Sequence, residues 1–417
     1  MALVRGEPLR SVTRGWSRAA GVRVSAAAVL AAGALVSLAG TGMAQSVSTL
    51  PASGVAIRNE TSTPLAYWGT VFITGDKSEA TSPTVIDVPG SVVQVASSNS
   101  TEYALLSNGE VYAWGFGTNG ELGDGGTASS FTTAVQVHFP PGVTIAALPT
   151  DVMPYDVGLA IDTTGHVWGW GRATYGVLCL GTTAQYTTPV ELPFTDVTAV
   201  AGAGDHALYD SNGIVYACGW NTDGELGDGN TRSSSKPVEV TGLAGQNVQA
   251  LVASFADSGA LLASGTYFDW GYDGQGQLGD GKTGVNADTP VEVNLPLPVT
   301  RVAQGGSYFG NGQTMVQLSD GSLRSWGSDQ SGQLGNDKRV NQPSPIEFSP
   351  PPGVSYMLLA SGGSTSYAVS TTGDVYAWGF GGAGQIGNGS TATELNPVLV
   401  ESGVSLISST AEDVVTQ

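Results

Sequence analysis

The sequence predicts an all-β chain in which seven similar units surround one axis, and three observations support this prediction. A short hydrophobic strand ending in Trp-Gly, or in a variant of it, recurs along the 417 residues. Most copies are followed about five residues later by Gly-Glu/Gln-Leu/Ile-Gly-Asp/Asn. Successive copies lie 46 to 56 residues apart, a period typical of an array of equivalent supersecondary units. The anchor residues of the seven copies are Trp68, Trp114, Trp170, Cys218, Trp270, Trp326 and Trp378.

Each repeat is predicted to form short antiparallel strands. The segment from Ile214 to Cys218 alternates in hydrophobicity, and the turn residues Ser211, Asn212 and Gly213 precede it. One repeat has room for four such strands. A four-stranded unit cannot bury both faces by itself, whereas seven units around an axis cover one another. We therefore predict a seven-bladed β-propeller of four-stranded antiparallel blades over residues 45–417.

The two ends of the chain are predicted to close the ring together. Residues 404–409 begin a further unit that stops short at Gln417, and residues 54–68 offer strands that would complete it. We expect N-terminal and C-terminal strands to share a blade.

The repeat motifs identify a family resemblance. Residues 111–124 and 375–388 are the clearest copies of the Trp-Gly and Gly-Glu/Gln-Leu/Ile-Gly motifs, and they resemble the regulator of chromosome condensation repeat. Residues 200–208 are similar to that family's second signature, with Ala203 in place of a glycine. The resemblance covers residues 54–417. It implies a propeller fold and diverse functions, which include nucleotide exchange on a small GTPase and, in exported bacterial members, inhibition of a β-lactamase.

The first 44 residues have the composition of a secretory signal peptide. Five arginines precede an apolar run over residues 24–40, and Gly42-Met43-Ala44 follows it. We predict cleavage after Ala44 and a secreted bacterial protein. The alternative is an uncleaved membrane anchor, although the run is shorter than the ~20 residues that span a bilayer.

The charge of the chain argues against several classes of partner. The net charge is −20, and removing residues 1–44 leaves 10 basic and 34 acidic residues, a net charge of −24. Phosphate groups are bound through clustered lysine and arginine, so nucleic acids and anionic membranes are poor partners for the mature chain. We expect a monomer that binds no nucleic acid and, after cleavage, no membrane.

Two repeats depart from the pattern. Cys218 replaces the anchor tryptophan in one of them, and Cys179 stands where the loop of the preceding repeat has lost its Gly-Asp. These are the only two cysteines of the chain, and an oxidising compartment would permit a disulfide between them. The alternative is two small buried side chains in a loosely packed blade.

The sequence offers few groups for catalysis or for cofactor binding. Residues 115–120 and 379–384 match the glycine pattern of a dinucleotide site, but they follow strands and recur with the repeat. The Asp-Gly loops lack the acid spacing of a calcium site. His206 is interpreted as one variant at a repeated turn position. The aligned residues there are Thr101, Val157, His206, Ser258, Tyr308 and Thr365. We predict no catalytic residue, no cofactor and no metal.

The loops are the best candidates for function. A rigid scaffold that carries similar loops with different side chains suits recognition of a macromolecule. The candidate protein-binding residues are the aromatics Tyr155, Phe255, Tyr272, Tyr308 and Phe309. The neighbourhood of Tyr155 and Asp156 is favoured, because a Pro-containing segment precedes it.

The sequence thus predicts a secreted, non-catalytic propeller that binds an unidentified protein, with an extracellular or cell-wall enzyme as the candidate target. The first alternative is a propeller lyase or hydrolase, with Asp205 and Asp257 converging at the central channel. The second is a guanine-nucleotide exchange factor, by family analogy, which export disfavours.

Overall fold

The computed structural model describes residues 63–71, 78–98, 101–149, 153–307, 310–403, 407–409 and 413–416. Every regular element in these ranges is a β-strand except a 3-10 turn at Thr174–Gly176. The strands pair antiparallel into four-stranded sheets, as predicted. Within the described ranges no helix is long and apolar enough to cross a membrane. The predicted signal peptide, residues 1–44, lies outside the described residues.

The strands are named in chain order. The first two are β1 (Thr63–Val71) and β2 (Ser78–Val88). Blade 1 contains β3 (Val92–Ser97), β4 (Thr101–Leu106), β5 (Val111–Gly115) and β6 (Ser130–Gln136). Blade 2 contains β7 (Ile145–Ala147), β8 (Val157–Asp162), β9 (Val167–Arg172) and β10 (Gln185–Glu191). Blade 3 contains β11 (Val197–Ala203), β12 (His206–Ser211), β13 (Ile214–Gly219) and β14 (Ser234–Glu239). Blade 4 contains β15 (Val248–Ala253), β16 (Asp257–Leu262), β17 (Tyr267–Gly271) and β18 (Ala287–Glu292). Blade 5 contains β19 (Val299–Gly305), β20 (Gln313–Leu318), β21 (Leu323–Gly327) and β22 (Gln342–Phe348). Blade 6 contains β23 (Tyr356–Ser361), β24 (Thr365–Ser370), β25 (Asp374–Gly379) and β26 (Glu394–Ser402). The last two strands are β27 (Ile407–Ser409) and β28 (Asp413–Thr416).

The predicted count of seven blades is corrected to six. In blades 1 to 6 the four strands follow one another along the chain, so each of these blades is one repeat. The remaining four strands form a terminal sheet in the order β2-β1-β28-β27, which no single repeat supplies. The prediction counted the Trp68 segment as a repeat of its own, because the sequence of a strand does not reveal which strand it pairs with.

The terminal sheet joins the two ends of the chain. Strand β1 pairs with β28 from Ala66 opposite Thr416 to Gly69 opposite Asp413. Strand β27 contacts β23 of blade 6 and β3 of blade 1, and β2 contacts β6. The terminal sheet therefore lies between blades 6 and 1, and the expected pairing of N-terminal with C-terminal strands is present.

The Trp-Gly motif has a geometric cause. In blades 1 to 6 the glycine after the anchor has a positive φ, as at Gly115 (114°) and Gly379 (102°), in a backbone region that residues with a side chain avoid. A Cβ atom on Gly171 would lie 2.1 Å from the carbonyl oxygen of Asp156. The pairing of the third strand with the fourth shifts register at this point, for example between Ala113 and Gly115. Glycine is therefore needed where the third strand ends.

The anchor tryptophans connect neighbouring blades. In blades 2, 4, 5 and 6 the indole Nε1–H of the anchor donates to the backbone carbonyl of the Glu or Gln in the preceding blade's loop, whereas the buried Nε1–H of Trp114 in blade 1 has no partner among the described residues. These bonds join Trp170 to Glu121 (2.8 Å), Trp270 to Glu225 (2.9 Å), Trp326 to Gln277 (2.8 Å) and Trp378 to Gln333 (3.0 Å). The second glycine of each loop lies against the same ring, and a Cβ atom on Gly227 would be 2.7 Å from Trp270 Nε1. The two halves of the repeat motif are thus the two sides of one inter-blade contact.

Candidate functional site

Two sets of loops emerge on the same side of the propeller, which we call the loop face. One set connects the first strand of a blade to the second, and the other connects the third strand to the fourth. Backbone hydrogen bonds join the two sets, since the amide of Trp220 donates to the carbonyl of Asp205 (2.8 Å) and the amide of Tyr272 to that of Ala256 (2.9 Å). The second and third strands are antiparallel, so both sets emerge at the same end of the blade.

One position on the loop face is repeatedly aromatic. It is the residue directly after the glycine that follows each anchor. In blades 1 to 6 this residue is Phe116, Arg172, Trp220, Tyr272, Ser328 and Phe380. Tyr272 is among the residues that the sequence singled out, whereas Phe116, Trp220 and Phe380 were missed. Aligning the repeats one residue beyond Trp-Gly would have found them.

The contact between blades 2 and 3 differs from the others because a disulfide bond replaces the indole. Cys179 and Cys218 are joined, with their Cα atoms 5.5 Å apart. Cys218 occupies the anchor position, and Cys179 occupies the loop position that is Gly123 or Gly227 elsewhere. Cys179 has the left-handed φ of those glycines, 60° against 67° and 65°. The two departures from the repeat are therefore one coordinated exchange, and a covalent bond ties blade 2 to blade 3.

The hydrogen bond between blades 2 and 3 also has a different donor from the corresponding bonds at other junctions. The carbonyl of Val177 is the counterpart of the acceptor carbonyls of Glu121 and Glu225, and it accepts from the hydroxyl of Tyr209 (3.2 Å). Tyr209 is fully buried and stacks on Phe194, with ring centroids 4.4 Å apart. A tyrosine of blade 3 thus supplies the donor that a tryptophan supplies at other junctions.

An aromatic pair stands on the loop face beside the disulfide. The rings of Tyr175 and Trp220 meet edge to face, with centroids 4.4 Å apart. Tyr175 is 40% exposed, and its φ of 55° places it in the left-handed region, which costs free energy for a residue with a side chain. Gly176, the next residue, lies against Ser235 of blade 3. The short turn is therefore held in a strained conformation that presents a large ring to solvent.

Charged side chains adjoin this pair. Arg172 Nη2 lies 3.3 Å from Asp156 Oδ2, which also accepts from the side-chain amide of Asn119 (3.0 Å). Burial raises the pKa of Asp156, and the charge of Arg172 opposes that rise. Burial likewise raises the pKa of Asp205, again against Arg172. Within the described part of the chain, the Asp205 carboxylate forms neither a hydrogen bond nor an ion pair.

These residues form a continuous surface across the junction of blades 2 and 3. The amide of Tyr155 donates to the carbonyl of Gly204 (2.7 Å), which places Tyr155 beside Asp205. The ring of Tyr155 in turn contacts that of Phe255 (5.5 Å between centroids). We name this surface the junction patch; it comprises Tyr155, Asp156, Arg172, Tyr175, Asp205 and Trp220.

The predicted protein-binding residues occupy different places. Tyr155 and Phe255 are half-buried and in contact at the junction patch. Tyr272 is also half-buried on the loop face, but it lies next to Gly310 of blade 5. Tyr308 and Phe309 lie outside the described residues. The structure thus brings together two of the five, and the role of all five in binding stays a prediction.

Asp205 and Asp257, which the enzyme hypothesis placed together, belong to separate clusters. Asp205 is half-buried near Asp156 and Arg172, whereas Asp257 is 2% exposed and interacts with Asp273 and Glu225. The side-chain amide of Gln304 in blade 5 donates to Asp257 (2.8 Å) and to Asp269 (3.0 Å), and Ser254 also donates to Asp257. Asp257 therefore takes part in a buried contact between blades 4 and 5.

Stability is expected to fall as pH rises, because of Asp257. Burial and the nearby acids raise its pKa to about 7, whereas an unfolded Asp titrates near 3.9. The folded state thus holds this proton more tightly, so the stabilisation is complete below about pH 4 and is lost as pH rises through about 7. Urea unfolding should give a smaller free energy at pH 8 than at pH 5, by a few kcal/mol for a shift of about three pKa units.

The variant Asp257→Asn tests the assignment of that effect. Asparagine keeps the bond from Gln304 and can donate to the Ser254 hydroxyl, but it does not titrate. The pH dependence of its unfolding should be clearly shallower than that of the wild type. An unchanged slope would assign the effect to the other acids whose pKa is raised, first of all Asp269, which shares Gln304 with Asp257, and then Glu121 and Glu225.

The surroundings of His206 indicate a structural role. It is fully buried, burial lowers its pKa to about 3, and its Nε2 lies 2.9 Å from the hydroxyl of Ser258.

Strand pairing corrects the alignment of the repeats at the position of His206. The residues that pair with the glycine after the anchor are Asp257 in blade 4 and Gln313 in blade 5. The sequence alignment had placed Ser258 and Tyr308 there. The connection between the first and second strands has two residues in blade 3, three in blade 4 and seven in blade 5, and this difference in length shifts the repeats relative to one another. In the described ranges no group of three or more His, Cys, Asp or Glu could hold a metal ion.

Comparisons with known proteins agree with this architecture. The family model of the Regulator of chromosome condensation (RCC1) repeat matches residues 108–152, 164–209, 212–254, 264–309, 320–369 and 372–413. The Ultraviolet-B receptor UVR8 of Arabidopsis thaliana is 28% identical over 339 residues, which are 78% of this chain and 74% of the receptor. The E3 ubiquitin-protein ligase HERC2 of Homo sapiens is 27% identical over 74% of this chain, but the match spans only 6% of the ligase.

Solved structures show the same fold. Human WBSCR16 superposes with a TM-score of 0.74 at 19% identity, over 85% of this chain and 99% of that one. Prp20p from Saccharomyces cerevisiae superposes with a TM-score of 0.72 at 20% identity, over 87% and 92%. Each of the six repeat matches runs from the third strand of one blade into the next sheet, so the family's repeats are offset from the blades. The resemblance predicted from the motifs is confirmed. The chain belongs to the Regulator of chromosome condensation (RCC1) repeat family.

Proposed function

We propose that this protein is a non-catalytic binding module whose protein partner docks on the loop face at the junction patch. The observation that carries the proposal is the Tyr175–Trp220 pair, which a strained turn presents to solvent beside a disulfide-tied junction. Exposed aromatic side chains on a rigid support lose little conformational entropy on binding, and such residues often dominate protein interfaces. The binding of Prp20p to Gsp1p and histones gives a precedent for protein recognition by a propeller of this family.

The proposed setting is outside the bacterial cytoplasm. The arginine-rich, apolar composition of residues 1–44 and the net charge of −24 after them support export of an acidic domain. A disulfide persists in an oxidising compartment, which is consistent with that setting. The candidate target is an extracellular or cell-wall enzyme. Nucleotide exchange, the other role that the family suggests, would need a small GTPase in the same compartment.

The test is affinity capture with the chain from Gln45 as bait against culture medium and cell-envelope extract. The variant Tyr175→Ser/Trp220→Ala removes the aromatic pair. We expect it to retain the captured partner about ten-fold less well than the wild type. The matched control is Leu399→Ser, which removes a side chain that is 55% exposed on the outer strand of blade 6.

Folding of each bait is checked by its thermal unfolding midpoint. Equal capture by the wild type and both variants would remove the junction patch from the interface. Absence of any saturable partner in either extract would contradict the binding function itself.

A further inference from the structure

The junction patch places an aromatic surface next to negative charge. Trp220 follows the disulfide cysteine Cys218 by two residues, and its amide donates to the carbonyl of Asp205. The exposed ring of Tyr175 contacts the ring of Trp220 edge to face. Aromatic faces attract cations that lie over them, and arginine is the most frequent protein cation in such contacts. A side chain that is both planar and positively charged would therefore match this surface.

The charges of the patch are not balanced. Its one cation, Arg172, lies 3.3 Å from Asp156 and also attracts Asp205, but among the described residues no cation lies within ion-pair distance of the Asp205 carboxylate. The patch thus carries two carboxylates against one guanidinium. The whole chain carries −20, so the field around the patch is negative at long range as well. Charge complementarity thus selects a positively charged occupant over an acidic or a neutral one.

We infer that the junction patch accommodates an arginine side chain of a polypeptide partner, which stacks on Tyr175 or Trp220 and pairs with Asp205. Arginine fits better than lysine because its planar guanidinium can stack on a ring while its N–H groups donate to a carboxylate. This inference rests on the proposed function, since it names the chemistry of the partner that the loop face binds.

The probe is a short peptide whose only charged groups are two arginine side chains. It is compared with the same peptide in which citrulline replaces both arginines. Citrulline has nearly the same shape and no charge. Binding is followed by NMR through the indole N–H signal of Trp220, which the variant Trp220→Phe assigns. We expect a saturable shift with the arginine peptide and little shift with the citrulline peptide.

Two variants that each remove one negative charge distinguish a contact at Asp205 from a long-range effect of the protein's net charge on peptide binding. Asp205→Asn should weaken binding of the arginine peptide about three- to five-fold, as expected for one partly exposed ion pair. Glu239→Gln changes an exposed acid at the end of β14 and should leave binding nearly unchanged. Equal weakening by both variants, or equal binding of the citrulline peptide, would overturn the inference.

The two proposals fail in different ways. Capture could be lost when the rings of Tyr175 and Trp220 are removed, while Asp205→Asn changes the binding of neither the peptide nor the captured partner. That result would support the binding function and reject arginine as the bound side chain. Capture that does not depend on the aromatic pair would reject the docking site itself, whatever the peptide does.

Discussion

Replacing Trp270 by alanine is expected to lower the free energy of unfolding by about 3–5 kcal/mol, the range for deleting a large buried aromatic. The ring is fully buried between blades 3 and 4, lies against Gly227, and donates to the carbonyl of Glu225. Glycine at position 227 leaves no side chain that could move into the space. Equilibrium unfolding in guanidinium chloride, followed by far-UV circular dichroism, measures the loss.

Two further variants divide that loss into its parts. Trp270→Phe keeps six of the nine ring atoms and removes the donor, and it should cost about 2 kcal/mol, mainly for the lost ring volume, because Ser258 still donates to the Glu225 carbonyl (2.8 Å). Trp220→Ala removes a half-buried ring on the loop face and should cost clearly less than Trp270→Ala. Similar losses for Trp270→Ala and Trp220→Ala would contradict the inter-blade role of the anchor.

Removing the disulfide is expected to cost about 3–4 kcal/mol, because the bond closes a loop between residues 39 positions apart and so restricts the unfolded chain. The variant Cys179→Ser/Cys218→Ser tests this by chemical unfolding under oxidising conditions. Reductant should destabilise the wild type and leave the variant unchanged. No stability difference between variant and wild type would show that Tyr209 and the surrounding packing already hold blades 2 and 3 together.

A second variant separates the bond from the backbone at the same position. Cys179 has a φ of 60°, where other blades have glycine. Cys179→Gly/Cys218→Ser should therefore be more stable than the serine pair, by about 1 kcal/mol for relief of the left-handed conformation. A less stable glycine variant would mean that the side chain at 179 packs usefully even without the bond.

Several features of the site were accessible from the sequence. The recurrence of Trp-Gly identified the anchors, and the oxidising context raised the pairing of Cys179 with Cys218 as one of two possibilities. The aromatic residues after the anchor glycines were equally visible, yet the prediction overlooked Trp220. Tyr175 could not have been found, since its exposure depends on a turn conformation that the sequence Ala-Thr-Tyr-Gly does not specify.

Other features depend on distances between blades. The sequence could not show that Asp257 shares Gln304 with Asp269, because these residues come from different strands and 47 positions separate the first two. For the same reason it could not show that Asp205 interacts with Asp156 and Arg172, whereas Asp257 interacts with Asp273 and Glu225. Burial, which raises the pKa of Asp257, is likewise a property of the assembled blades.

The sequence by itself determined the repeat, its four-stranded antiparallel character and the family, because each depends on local patterns of strand, turn and anchor residues. Only the tertiary structure decided the number of single-repeat blades, since strand β1 carries the repeat signal but pairs with β28 from the other end of the chain. It also decided which surface is exposed, joining Tyr175, Trp220 and Asp205 across two blades. Strand pairing and inter-blade packing are long-range interactions, and a local pattern does not contain them.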